Sequence, residues 1–305
     1  MIENNINKCI AESQYIEPEP QPEQEPAPLF DIITTVYRNQ EWIAPFLYSL
    51  HKTLKNRSRK IYILDSSPLE EFEKTRRMDT FGLDVSFIHL ENHSYACLLQ
   101  GIQMMNPSPH LYYEGRQYGD AVCLCNVDIV FLLKDWDYFV EQQMRNGPYH
   151  MVAVAPRYIT HAETTFIVAS KQIILKSQLH PTPPKGVELK SKVQQQEDAY
   201  LTYLHCLEQR PFLLLTKHIK AQGRWGHIIL NDQNQEFFYH NFYSARCKKE
   251  GNDIPESEYH EAKELIDCCF ENAGILMDYL MNGHSCLQEY LATFQSNVPR
   301  DKRIM

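Results

Sequence analysis

"AVCLCNVDIVFLLKDW" (residues 121–136) decides how this chain is read. The stretch is apolar almost throughout, as a strand buried on both faces of a sheet should be, yet Asn126 and Asp128 sit in its middle. A buried, unpaired carboxylate is too costly to keep ionised. Asp128 therefore requires a cation, a cluster of donors, or water at the end of a strand. Asn126 and Asp128 are two apart, so in extended backbone they project to the same side. Two hard oxygen ligands on one side suit Mg²⁺ or Mn²⁺, which bind through one or two carboxylates plus substrate phosphates. Asp128 then reads as a strand-end residue facing a metal. A plain turn or cap carboxylate is the alternative that spacing alone leaves open.

Outward from this stretch the pattern alternates. On the N-terminal side, "LFDIITTV" (29–36), "KIYILDSS" (60–67) and "LDVSFIHL" (83–90) read as strands. Between and after them "QEWIAPFLYSLHKTL" (40–54), "EEFEKTRRM" (70–78) and "SYACLLQGIQMM" (94–105) read as helices, the first with Pro45 near its start and basic residues at its end. On the C-terminal side "MVAVAPRYI" (151–159), "TTFIVAS" (164–170) and "PFLLLTK" (211–217) are strand-like, and "EDAYLTYLHCLEQ" (197–209) is helical. Strand–helix alternation implies a mostly parallel sheet with helices on both faces, an α/β fold.

Composition bounds the rest. With 305 residues and 43% hydrophobic content the chain can form one large domain, or one domain with an appendage. A net charge of −9 argues against non-specific nucleic-acid binding. Nine cysteines without a CxxC pair suit neither a disulfide framework nor a zinc site, and point to reduced thiols in the cytoplasm. The N-terminus lacks the basic-then-apolar pattern of a secretory signal, and no apolar run is long enough to span a bilayer.

Three segments follow. Residues 1–28 carry six acids against one base and include "YIEPEPQPEQEPAP", a disordered, solvated tail by composition. The main domain is expected over 29–245 and a helical extension over 246–305. In that extension Leu265, Cys269, Ala273, Leu276 and Leu280 form one helical stripe, which Asn282-Gly283 ends. "SCLQEYLATF" (285–294) is a second, shorter helix. The stripe packs on the main domain in the simpler reading; a homodimer contact through these helices is the sharper one.

Three strand-like runs meet polar residues at their C-terminal ends: Tyr37, Arg38 and Asn39; Asp65, Ser66 and Ser67; Asn126 and Asp128. In open parallel sheets ligands bind outside the carboxyl ends of the strands. If these strands are neighbours, their ends share one site.

In this order the segments resemble the family 2 glycosyltransferases of GT-A fold, nucleotide-sugar-dependent transferases of bacteria and viruses, over roughly residues 29–225. "DIITTVYRNQEWIAPFLYSL" resembles that family's opening strand and helix. "IYILDSSP" resembles the strand whose terminal Asp holds the nucleotide base, and "IHLENHSYACLLQGIQMM" the segment after the third strand. "VCLCNVDIVFLLKDW" resembles its D-x-D strand, and "EDAYLTYLHCLEQ" the helix carrying the catalytic base. The resemblance implies a nucleotide-diphospho-sugar transferase-like, Rossmann-like mixed sheet, mostly parallel and flanked by helices. It implies an inverting, metal-dependent transfer of a sugar from a UDP-, GDP- or dTDP-linked donor to a glycan or other hydroxyl acceptor.

Residue by residue, Asp65 is expected to bind the donor base with Tyr37 against it and Asn39 nearby. Asp128 is expected to hold Mn²⁺ or Mg²⁺, with Asn126 touching metal or ribose. Asp198 is the expected catalytic base, with Glu197 beside it. Arg224 and Trp225 are expected to contact diphosphate and acceptor. His218 is the candidate third metal ligand and His227 the second choice. Two departures stand out: the Gly after "EN" is replaced by His93-Ser94, and the first acid of D-x-D is Asn126. They leave room for a catalytically degenerate binding or scaffold module. A nucleotidyltransferase ranks below both, because "TTVYRNQEW" lacks a Gly-rich basic loop.

Overall fold

The computed structural model describes residues 29–90, 121–155, 163–170, 211–221, 226–241 and 270–294. Its main element is a seven-stranded sheet of β1 (Phe30–Val36), β2 (Lys60–Asp65), β3 (Asp84–His89), β4 (Ala121–Asn126), β6 (Met151–Val154), β7 (Glu163–Ser170) and β8 (Phe212–Leu215). The spatial order is β3-β2-β1-β4-β7-β6-β8. Only β7 runs against its neighbours, so the sheet is mixed and mostly parallel, as expected.

Alternation along the strands separates two apolar layers. Ile32, Ile61, Ile63, Cys123, Cys125, Val152, Phe166 and Val168 face one core. Ile33, Leu64, Val122, Leu124, Met151, Ala153, Ile167 and Ala169 face the other. The first core is covered by helices α1 (Ile43–Thr53) and α3 (Trp136–Arg145). A 3₁₀ turn, Gln40–Trp42, leads into α1, and Pro45 occupies its first turn, where the missing N–H is harmless. A further short helix, α2 (Leu69–Thr75), follows β2, and its Phe72 ring lies 4.9 Å from that of His89.

Residues 121–136 are not one strand. β4 ends at Asn126, a two-residue turn holds Val127 and Asp128, and β5 (Ile129–Phe131) enters a second sheet. That sheet also contains β9 (His218–Lys220), β10 (His227–Leu230) and β11 (Glu236–His240), in the antiparallel order β5-β11-β10-β9. The apolar run continues through the turn because both halves are buried, one in each sheet. An aromatic cluster joins the sheets: Phe131 stacks on Trp136 at 4.2 Å, and Phe166 and Phe237 meet edge to face at 5.3 Å.

The strand read over 151–159 stops at Val154. The C-terminal stripe is helical over 270–282, here α4, and ends at Gly283 with φ +66°, a left-handed conformation that glycine adopts freely. Ala273 and Leu276 are buried in the first core, beside residues of the second sheet. Helix α5 (Leu287–Ala292) follows, burying Leu287 and Leu291, and Gln288 Nε2 donates to Lys220 O at 3.0 Å. The described part of the stripe, Ala273, Leu276 and Leu280, thus packs on this chain's own body, while Leu265 and Cys269 lie outside the described residues. The tail 1–28 and the helices read over 94–105 and 197–209 lie outside the described residues.

The N-terminal ends of the strands are held by a buried ionic clamp. Arg59, 1% exposed, pairs with Asp137 at 3.0 Å and with Glu141, and donates to Phe30 O at 2.7 Å. Asp137 also accepts from the backbone N–H groups of Lys55 and Asn56. Glu141 accepts from Leu29 N.

Candidate active site

At the opposite edge the chain brings its polar strand ends together. β2, β1 and β4 are hydrogen-bonded neighbours, with Val36 opposite Asp65 and Thr35 opposite Asn126. At roughly 4.8 Å per strand spacing, the ends of β2 and β4 are about 10 Å apart.

The β1–β2 side is tied by short polar bonds. Asn39 Oδ1 accepts from Tyr37 N at 3.0 Å, and Ser67 Oγ accepts from Arg38 N at 2.8 Å. Arg38 is left-handed, with φ +54°, which turns the chain sharply after β1. Ser66 N donates to Val36 O at 3.0 Å. Asp65 is fully buried, and its Oδ1 accepts from Ser67 N at 2.8 Å. Its Oδ2 is buried with no hydrogen-bond partner among the described residues. An unmet buried acceptor costs roughly 1–3 kcal/mol. A ligand N–H that completes Oδ2 would recover that cost.

The β4 side brings three side chains to one point. His240 Nε2 lies 3.4 Å from Asp128 Oδ1 and 3.4 Å from Asn126 Nδ2. His240 and Asp128 are 2% and 4% exposed. The turn is fastened from β11, where Asn241 N donates to Asp128 O at 3.1 Å. A single ring nitrogen either donates or accepts, so Nε2 cannot satisfy a carboxylate oxygen and an amide N–H₂ together. Both contacts are also long for hydrogen bonds. A divalent cation at this point would take the carboxylate oxygen, the ring nitrogen and, after an amide flip, Asn126 Oδ1. The two oxygens suit Mg²⁺ and Mn²⁺, while the imidazole favours the transition metal. Among the described residues no three His, Cys, Asp or Glu side chains form a metal cluster, so an amide or a substrate oxygen would complete the set.

His240 was not legible as a site residue beforehand. The signal was present in "HIILNDQNQEFFYHN", two β-rich runs around a turn. His218 and His227 lie on the same sheet as His240. His218 Nε2 contacts Ala155 O at 3.0 Å, and its ring meets that of His227 at 6.1 Å. His227 pairs across the ladder with His240. Arg224, Trp225, Glu197 and Asp198 lie outside the described residues. The segment containing Arg224 and Trp225 is bounded by Ala221 and Gly226, joined by an N–H···O bond of 3.0 Å next to His227. In β4, burial pushes the Cys123 thiol well above its ordinary value, so it is no nucleophile.

No protein-family model matches the chain, and no curated protein matches it. Solved structures of glycosyltransferases resemble it at low identity. A mannosyltransferase from Pyrobaculum calidifontis, PcManGT, in complex with GDP-Man and Mn²⁺, is 10% identical, with 95% of this chain and 86% of that one covered and a TM-score of 0.46. TarS 1-349 of S. aureus with UDP-GlcNAc is 16% identical, with coverages of 84% and 72% and a TM-score of 0.42. GlyE of Streptococcus pneumoniae TIGR4 is 12% identical, with coverages of 61% and 45% and a TM-score of 0.36. Each likeness is partial. No helix among the described residues is long and apolar enough to cross a membrane.

Proposed function

We propose that this protein is a glycosyltransferase that moves a sugar from a nucleotide-sugar donor to an acceptor hydroxyl, with inversion and with a divalent cation, Mn²⁺ in preference to Mg²⁺. One observation carries the reading. Asp65, with its unmet buried oxygen, and the Asp128–His240 pair sit at one sheet edge, about two strand spacings apart. That separation matches a ligand with hydrogen-bond donors at one end and anionic oxygens at the other, as in a nucleoside diphosphate.

Each residue has a task in this scheme. Asp65 accepts an N–H of the donor base, and Tyr37 lies against the ring with Asn39 holding its backbone. Asp128 and His240, with Asn126, would hold the cation, which as a Lewis acid would stabilise charge developing on the departing diphosphate. Asp198 takes the acceptor hydroxyl's proton as that oxygen attacks the anomeric carbon, and Glu197 orients the acceptor. Arg224 and Trp225 contact diphosphate and acceptor sugar.

The test is a thermal-shift panel of UDP-, GDP-, CMP- and dTDP-sugars with and without Mn²⁺. Ligands that bind only the native state raise its apparent stability. One nucleotide class should raise Tm with Mn²⁺, and Asp65→Asn, which loses the acceptor oxygen, should abolish the shift while keeping the fold. The reading fails if no nucleotide raises Tm, or if Asp65→Asn responds as the parent does.

A further inference from the structure

Behind the Asp128–His240 pair three side chains form a closed, buried triangle. Tyr239 and Asn241 flank His240, and Asn272 comes from helix α4; all three are 0% exposed. Tyr239 Oη donates to Asn241 Oδ1 at 3.0 Å. Asn272 Nδ2 donates to the same Oδ1 at 2.9 Å and to Tyr239 Oη at 3.1 Å.

The triangle reaches several described parts of the candidate site. Alternation along β11 sends His240 to the site face and Tyr239 to the opposite face, where α4 lies. Asn241, fixed by its side chain, donates its backbone N–H to Asp128 O at 3.1 Å. Trp42 stacks on Tyr239 at 6.4 Å and 15°, and Trp42 N donates to Asn39 O. Gly226 closes against the Tyr239 ring: a Cβ there would lie 2.6 Å from Cε2. The turn holding Asp128, the Tyr37–Asn39 loop and Gly226 all lean on one hydrogen-bonded hub.

We propose that Asn272 is a positioning residue for the cation-binding pair, so that the C-terminal helix governs metal affinity and does more than cover the core. The proposal rests on the reading of Asp128 and His240 as cation ligands. Asn272 Nδ2 bonds Tyr239 and Asn241, the residues on either side of His240. It sets the rotation of the Asn241 amide and the Tyr239 hydroxyl on both sides of His240, and through Asn241 it sets the Asp128 turn. Anchoring alone does not call for a polar group here, because the neighbouring Ala273 and Leu276 already bury the helix with apolar contacts. Two amide donors aimed at two oxygens fix one arrangement of the hub. Partners behind metal ligands, when removed, typically weaken metal affinity about 10- to 100-fold.

The experiment compares full-length Asn272→Asp, Asn272→Ala and Leu276→Ala with the parent and with Asp128→Ala. Asn272→Asp keeps the shape and removes both donors. Leu276→Ala, one turn along the same helix, weakens packing without touching the triangle. Thermal unfolding, Mn²⁺ affinity from the electron paramagnetic resonance of free Mn²⁺, and the His240 ring signals by NMR of the metal-free protein at one pH are measured. Both Asn272 variants should bind Mn²⁺ about 10- to 100-fold more weakly and move the His240 signals. Leu276→Ala should lower Tm while leaving Mn²⁺ affinity and His240 signals as in the parent. Asn272 variants that lose Tm but keep Mn²⁺ affinity and His240 signals overturn the proposal. A parent that binds no Mn²⁺, or an Asp128→Ala variant that binds it equally well, overturns the cation reading instead, and the His240 signals then decide alone whether Asn272 positions the ring.

Discussion

Two carboxylates at the C-terminal strand ends are held differently, and under the proposed function each suits a different part of the donor. Asp65 has one oxygen satisfied by Ser67 N and one buried without a partner among the described residues, which suits an incoming N–H. Asp128 shares His240 Nε2 with Asn126, which suits a cation. His240→Ala should therefore weaken Mn²⁺ binding strongly, whereas His218→Ala should leave it unchanged. His218→Ala removes the bond to Ala155 O and should cost stability on the order of 1 kcal/mol. Equal Mn²⁺ titrations for His240→Ala and the parent would remove His240 from the site. Another single-residue effect lies at Glu236, whose carboxyl is pushed above its usual range by burial. Its folded state binds a proton more tightly than the unfolded state does, so stability falls as pH rises through that range. At neutral pH the ionised group is a net cost, and Glu236→Gln should raise Tm there. The gain should vanish below the ordinary carboxylate pKa; a variant that is no more stable at pH 7 than at pH 3.5, each relative to the parent, contradicts the assignment. Asp65 stood out in the sequence because it ends an apolar run, and Asp128 because it interrupts one. His240 did not, since it lies 114 residues from Asn126 and only the β5–β11 pairing joins them.

The elements show why some stretches read easily and others did not. β1, β2, β3 and α1 carry long, consistent apolar periods and were legible almost to the residue. The break at Val127–Asp128 was hidden because it has no Gly or Pro and is apolar on both sides. Strands β9, β10 and β11 are three to five residues long, too short for a period to stand out. The turn that joins β9 to β10 depends on Gly226, whose φ of +119° disfavours any side chain. A methyl there also overlaps the Tyr239 ring. Gly226→Ala should therefore cost about 1–3 kcal/mol through backbone strain, with a further penalty from the displaced ring. Because Tyr239 belongs to the triangle behind His240, the same variant should also weaken Mn²⁺ binding. A Gly226→Ala protein with the parent's Tm and Mn²⁺ affinity would show that the β9–β10 turn and the hub are independent.

At the scale of the molecule, stability and the candidate chemistry sit at opposite ends of one sheet. The N-terminal strand ends are closed by the Arg59–Asp137–Glu141 clamp, whose side chains bond one another and the backbone of Leu29 and Phe30. The C-terminal ends carry Asp65, Asn126 and Asp128, where an oxygen is left unmet and a ring nitrogen is contested. This polarity was legible in part: the polar strand ends showed one edge, but the clamp joins Arg59 to residues 78 and 82 positions away, which no local pattern reveals. It leads to a prediction that separates the two ends. Asp137→Ala leaves the Arg59 guanidinium buried with one carboxylate fewer and strands the N–H groups of Lys55 and Asn56. Breaking one side of a buried pair costs about 3–5 kcal/mol, which for a chain of this size lowers Tm by roughly 5–10 °C. The sheet transmits none of that loss to its other edge while it stays folded, since β1, β2 and β4 keep their register. Well below its transition, Asp137→Ala should bind Mn²⁺ and nucleotide-sugar with the parent's affinity. Asp128→Ala should do the reverse, losing Mn²⁺ while its Tm stays close to the parent's. Calorimetric unfolding beside Mn²⁺ titration measures both; a folded Asp137→Ala protein that has lost Mn²⁺ binding would mean that the clamp, and not the local turn, sets the geometry at Asp128.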